Sequence, residues 1–184
     1  MHAMKISMLM LTALAAVSSA AFSQQKPDKV EAGVSAGGLP PGQVRPMTVE
    51  LAKRLVAAAK KASCSPPAGS CSGAFAVTDD AGVLVYLETI DGVLAGGPDL
   101  AIRKAKTSAL WRRPTQMFQD AVNNKMNTSY ADGTFTDMTT SPGGVPLFKG
   151  GRIVGGFGIA AVGLASTQIA DAVTAEATNL FGKQ

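Results

Sequence analysis

The chain has 184 residues, 46% of them hydrophobic and 16% charged, with 17 Lys and Arg against 13 Asp and Glu. That length and composition suit one folded domain with a tail and exclude a chain disordered throughout. The net charge of +4 is scattered as short pairs, Lys53-Arg54, Lys60-Lys61 and Arg112-Arg113, so there is no basic run for nucleic acid.

The first segment reads as an export signal. Lys5 precedes an apolar stretch from Ile6 to Val17, and small residues follow through Ser23. A positive start, an apolar centre and a small-residue exit are the three parts of a secretory signal. The apolar run falls short of the ~20 residues needed to span a bilayer. Residues 1–23 are therefore expected to be removed, which places the protein in the periplasm or outside the cell. Residues 24–46, with Pro27, Gly37-Gly38 and Pro40-Pro41, show no apolar period and read as a flexible leader. The folded domain is expected over 47–184.

Thr48 suits a helix N-cap. After it Ala52, Leu55, Val56, Ala59 and Ala62 share one face. Cys64 and Cys71 flank a turn-rich loop, and in an oxidising compartment they are expected to pair as a structural disulfide. Two apolar runs around Asp79-Asp80-Ala81-Gly82 predict a hairpin. A second helix opens at Pro98 or Asp99, with Leu100, Ala101, Ala105 and Leu110 as core candidates. Arg113-Pro114 breaks it, and Thr115 is expected to cap a short third helix. A polar stretch from Asn123 to Ser141 has room for a weak strand near Phe135. A strand from Val145, a turn at Lys149-Gly150-Gly151 and a long strand from Arg152 follow. Ser166 or Thr167 then caps a last helix. This order predicts an α+β domain, an antiparallel sheet with helices packed on it.

Histidine is the scarcest chemistry-bearing residue. The one present, His2, lies in the export segment. Its loss removes a Ser-His-Asp triad, a Cys-His pair and any imidazole ligand to zinc or haem from the mature chain. No protein metal site is expected. The glycines of Gly155-Gly156-Phe157-Gly158 fall inside a strand and lack the following helix of a dinucleotide loop, so they predict a bulge or a close backbone approach instead. Gly143-Gly144-Val145-Pro146 joins a polar loop to a strand, and its backbone N–H groups could hold an anion. Lys104 and Thr107, three residues apart on one helix face, border apolar Leu100 and Leu110 or Trp111 and could grip a flat acidic ligand together with Arg103.

Three segments resemble the GlcG/HbpS family, the haem-binding or haem-degrading domain. They are Ala74-Phe75-Ala76-Val77-Thr78-Asp79-Asp80-Ala81-Gly82, then Ala101-Ile102-Arg103-Lys104-Ala105-Lys106-Thr107-Ser108-Ala109, and Gly143-Gly144-Val145-Pro146-Leu147 with the strand after it. The likeness covers about Met47 to Leu180. It implies a profilin-like fold with a five-stranded antiparallel sheet flanked by helices, homo-oligomers, and small-molecule, often haem, binding. Carried over by position, Lys104 and Thr107 belong to the family helix, and Gly143, Gly144 and Pro146 to its loop. Thr167-Gln168 stands where the family commonly has Asp-Glu. The resulting expectation is an exported binder of haem or another planar anion without histidine ligation. Its ligand-binding residues are Arg103, Lys104, Thr107, Gly143, Gly144 and Pro146. The alternatives are a histidine-free enzyme acting on a small carbonyl or carboxylate metabolite through Lys104, or an oligomeric assembly module.

Overall fold

The computed structural model describes residues 45–64, 71–126, 138–161 and 165–182. The elements run α1 (Val49–Ser63), β1 (Gly73–Asp79), β2 (Leu84–Ile90), α2 (Gly97–Trp111), α3 (Thr115–Asn123), β3 (Gly144–Lys149), β4 (Arg152–Ala161) and α4 (Ala165–Phe181). All belong to one compact unit, Val44–Gln184. The α+β class expected from the sequence is present. The described residues form a four-stranded antiparallel sheet in the order β2-β1-β4-β3, which corrects the expected five strands. The weak strand anticipated near Phe135 lies outside the described residues, as do the expected export segment, the expected leader through Val44 and the loop between Cys64 and Cys71.

Strand alternation divides the core between the two faces of the sheet. In β1, Phe75 and Val77 stand opposite Ile159 and Phe157 of β4 on one face. There they meet Leu55 and Val56 of α1 and Ile169 and Val173 of α4, forming the larger core. The rings of Phe75 and Phe157 lie 6.5 Å apart. The intervening positions are small: Ala74 pairs with Ala160, Ala76 with Gly158 and Thr78 with Gly156. Onto this small-residue face α2 packs with Ala101 and Ala105.

The glycines of β4 allow that approach. A methyl group on Gly158 would stand 1.9 Å from Ala101 O, and one on Gly156 would stand 2.1 Å from Ala105 O. The helix backbone thus rests directly on the strand, which is the close approach, the second of the two alternatives these glycines offered. Leu110, expected in the core, is instead 48% exposed. The sheet face of α2 is set by Ala101, Ala105, Ser108 and Ala109, and Leu110 lies one helical step away from it.

The caps and turns have local causes. Thr48 Oγ1 accepts the N–H of Leu51, closing the start of α1. Asp79 Oδ1 accepts from the N–H groups of Ala81 and Val83, so Asp79 serves the hairpin turn, with Arg45 bridging to its other oxygen. Gly150 and Gly151 both take positive φ, 56° and 75°, in the two-residue turn between β3 and β4. Pro146 is accommodated because β3 is an edge strand of the described sheet. Cys64 and Cys71 are disulfide-bonded with Cα atoms 4.2 Å apart, pinning the end of α1 to the start of β1. Among the described residues, no helix is long and apolar enough to cross a membrane.

Candidate functional site

Lys104 sits in the middle of α2, yet only 4% of it is exposed. It lies on the turn between Ala101 and Ala105, which face the sheet, so its stem is drawn into the layer between helix and strand. Its Nζ donates to Ile159 O at 2.7 Å, and Ile159 N in turn donates to Gly143 O at 2.8 Å. Burial pushes the Lys104 ammonium down from 10.5 to about 8. The physical reason is that a cation loses its hydration there, and among the described residues no carboxylate forms an ion pair with it.

A cavity of about 470 Å³ opens beside this amine. Val93 and Leu94 from the loop after β2, Leu100 of α2, and Ala160 and Ala161 at the end of β4 make its apolar walls. Gly96 and Gly97 bring the N-terminal turn of α2 to it, and Ser141 and Pro142 close the side nearest the Gly143 loop. The size is that of ordinary small-molecule sites, roughly 300–1,000 Å³.

The Gly143 loop is built to lie against α2. Gly143 has φ 109°, and a methyl group there would meet Ile159 O at 2.8 Å and Lys104 Nζ at 3.4 Å. A methyl on Gly144 would stand 2.4 Å from the Thr115 side chain. Two hydroxyls hold the loop in place: Thr107 Oγ1 accepts the N–H of Thr139 at 3.0 Å, and Thr115 Oγ1 accepts the N–H of Gly144 at 2.8 Å. Thr115 therefore ties β3 to α3 rather than capping the helix, whose N-cap is Pro114.

The six residues expected to bind ligand thus have different positions. Lys104 lines the cavity. Thr107 is buried and engaged with the loop, and the Gly144 N–H is already donated. Gly143 and Gly144 line a neighbouring cavity of about 360 Å³, which shares Pro142 with the first. Arg103 points to solvent and pairs with Asp99 at 2.8 Å. Pro146 lies within β3, opposite Gly156.

Val93, Leu94, Ser141 and the Ala160-Ala161 pair did not stand out in the sequence. They are ordinary small or apolar residues from three separate segments, and the Gly96-Gly97-Pro98 stretch was the one local signal near them. A further groove, about 620 Å³, is lined by Trp111, Met117, Phe118 and Met126 with Arg113 at its border. Trp111 meets Phe118 edge-on at 5.7 Å there. Among the described residues, no cluster of three or more His, Cys, Asp or Glu could hold a metal ion.

Comparison with known proteins agrees with this architecture. Protein GlcG of Escherichia coli strain K12 is 34% identical over 88 residues, which is 48% of this chain. That match spans 63% of the length of GlcG, a little under two thirds. The crystal structure of PduOC in complex with haem superposes with a TM-score of 0.61 at 19% identity, covering 71% of this chain and 94% of PduOC. A double mutant of Streptomyces reticuli HbpS superposes with a TM-score of 0.61 at 24% identity, covering 80% of this chain and 94% of that one. Both likenesses establish the fold. The sequence profile described as haem degrading protein HbpS-like matches residues 47–178, nearly the whole folded unit. The chain belongs to the HbpS-like family.

Proposed function

We propose that the protein is an exported, self-associating binder of a planar anionic small molecule, with haem the leading candidate, held in the cavity beside Lys104. The observation that carries this reading is a buried cationic amine on the wall of an otherwise apolar cavity. A flat ligand with acidic side arms needs both parts. Leu94, Leu100 and Ala160 offer surface for a ring, and Lys104 neutralises an acid out of bulk water, where such pairing is strongest. The N-terminal turn of α2 contributes the positive end of the helix dipole from the same side.

The residues present are compatible with haem. The cavity supplies apolar walls for the ring and the Lys104 ammonium for an acidic side arm. Haem bound there would supply iron chemistry; the chain's own part is to hold the ring, pair with an acid and limit water. Family membership and the haem complex of PduOC support the choice of ligand. The tripartite pattern of residues 1–23 supports export.

Titration of the purified protein with haemin tests the reading. A saturable, shifted Soret band is expected, with Lys104→Met weakening affinity about tenfold, the equivalent of ~1.4 kcal/mol. An unchanged spectrum removes haem from the account. A second location has its own support, because the Trp111 groove offers two thioethers, aromatic edges and a guanidinium. Loss of the band in the double variant Met117→Leu and Met126→Leu, with Lys104→Met unaffected, would move the site there.

A further inference from the structure

We propose that Lys104 is also a carbonyl-capture site, forming a reversible imine with small apolar aldehydes that enter the cavity between α2 and the end of β4. The inference uses the same cavity as the haem reading but does not rest on haem binding.

Three features of the cavity lead to it. The nucleophile is fixed: Nζ is held by its N–H to Ile159 O, and the lysine stem is enclosed by the helix–sheet layer. The neutral amine is accessible at ordinary pH. With the ammonium brought down to about 8, the free-amine fraction at neutrality is roughly three-hundredfold that of a lysine in water. The lining also discriminates among electrophiles. Leu94, Leu100 and Ala160 suit a hydrocarbon chain or ring, whereas Arg103 is turned outward to Asp99 and gives no second cation for a keto acid's carboxylate. A neutral aldehyde is the carbonyl that leaves no charge unpaired in this space.

The chemistry balances without an oxidant or reductant. The Nζ lone pair attacks the carbonyl carbon and a C–N bond forms. The carbonyl oxygen takes up a proton as the nitrogen loses one, giving a carbinolamine. Loss of water then breaks the C–O bond and leaves the C=N imine. Ser141 places a hydroxyl in the lining that can pass protons during the dehydration. Hydrolysis reverses each step and returns the aldehyde.

Hexanal and benzaldehyde are suitable probes, with sodium cyanoborohydride to reduce the imine to a stable secondary amine. Intact mass spectrometry and peptide mapping should find one alkyl group per chain, on Lys104, while exposed lysines remain largely unlabelled. Glyoxylate should label the site more slowly than hexanal. Lys104→Arg should abolish the adduct. Leu94→Trp changes a residue that is 72% exposed, so it leaves the core intact while filling the cavity mouth, and it should slow labelling even though Lys104 is retained. Labelling spread over surface lysines and indifferent to both variants would overturn the proposal. Failure to bind haemin with selective Lys104 labelling intact would sink the haem reading alone.

Discussion

Lys104 carries a cost that the rest of the molecule must offset. Below about pH 8 the folded protein holds a buried ammonium, whereas the unfolded chain keeps its lysine hydrated. Between about 8 and 10.5 the unfolded state binds more protons than the native one, so this residue's contribution to stability rises with pH. The full swing is on the order of 3 kcal/mol. Urea unfolding at pH 7 and at pH 9.5 should therefore show Lys104→Met losing this part of the pH dependence of the wild-type protein. A difference between variant and wild type that is the same at both pH values would mean the ammonium is not desolvated. Glu88, half-buried, is also shifted down, but there the charged form is the one the fold favours. Its carboxyl is held below the ordinary range by the Lys60 ammonium, with help from the Tyr86 hydroxyl, against a smaller opposing effect of burial.

The decisive contact between elements is α2 on β4. Two glycines and two alanines replace the side chains that usually separate a helix from a sheet, so the backbones meet. Such an interface has little tolerance for added volume. Gly158→Ala would push a methyl to 1.9 Å from Ala101 O, where the obstacle is backbone and cannot rotate away. A loss of about 3 kcal/mol or more is expected in denaturant titration, at the upper end of overpacking effects. The adjacent cavity should open or close as α2 shifts, so ligand binding should fall with stability in this variant. Unchanged stability would show that the helix does not rest on the strand as described.

At the scale of the whole molecule, the larger core lies on one face of the sheet and the candidate site on the other. The larger core, with Phe75, Phe157, Leu55 and Ile169, lies between the sheet and the α1–α4 pair, away from Lys104. The disulfide belongs to that side, joining the end of α1 to the start of β1. Reducing it restores chain entropy to the unfolded state, about 2–3 kcal/mol for so short a loop. Dithiothreitol should lower the urea midpoint without changing the labelling pattern at Lys104. Loss of both together would show that the two faces are coupled.

Much of the architecture was legible because local rules were obeyed. Thr48 capped α1, Asp79 and Gly82 shaped the hairpin, Gly150-Gly151 turned β3 into β4, and periodicity marked Ile169 and Val173 as core. The Lys104 helix was also legible as a place where a cation borders an apolar face. What remained hidden depended on contacts between distant segments. Leu110 looked as apolar as Leu100, and only the pitch of α2 against Gly156 and Gly158 left it outside. Arg103 and Lys104 are neighbours with similar chemistry, yet one helical step sends the first to Asp99 and solvent and the second under the helix. The sequence by itself determined the order of the elements, their turns and the scarcity of imidazole, because these follow from residue type and short-range spacing. Tertiary structure alone decided that Lys104 is buried beside a cavity and that Thr107 and Gly144 spend their hydrogen bonds on the loop. Burial and cavity shape arise from packing between segments distant in the chain, such as Lys104 against Ile159, 55 residues apart.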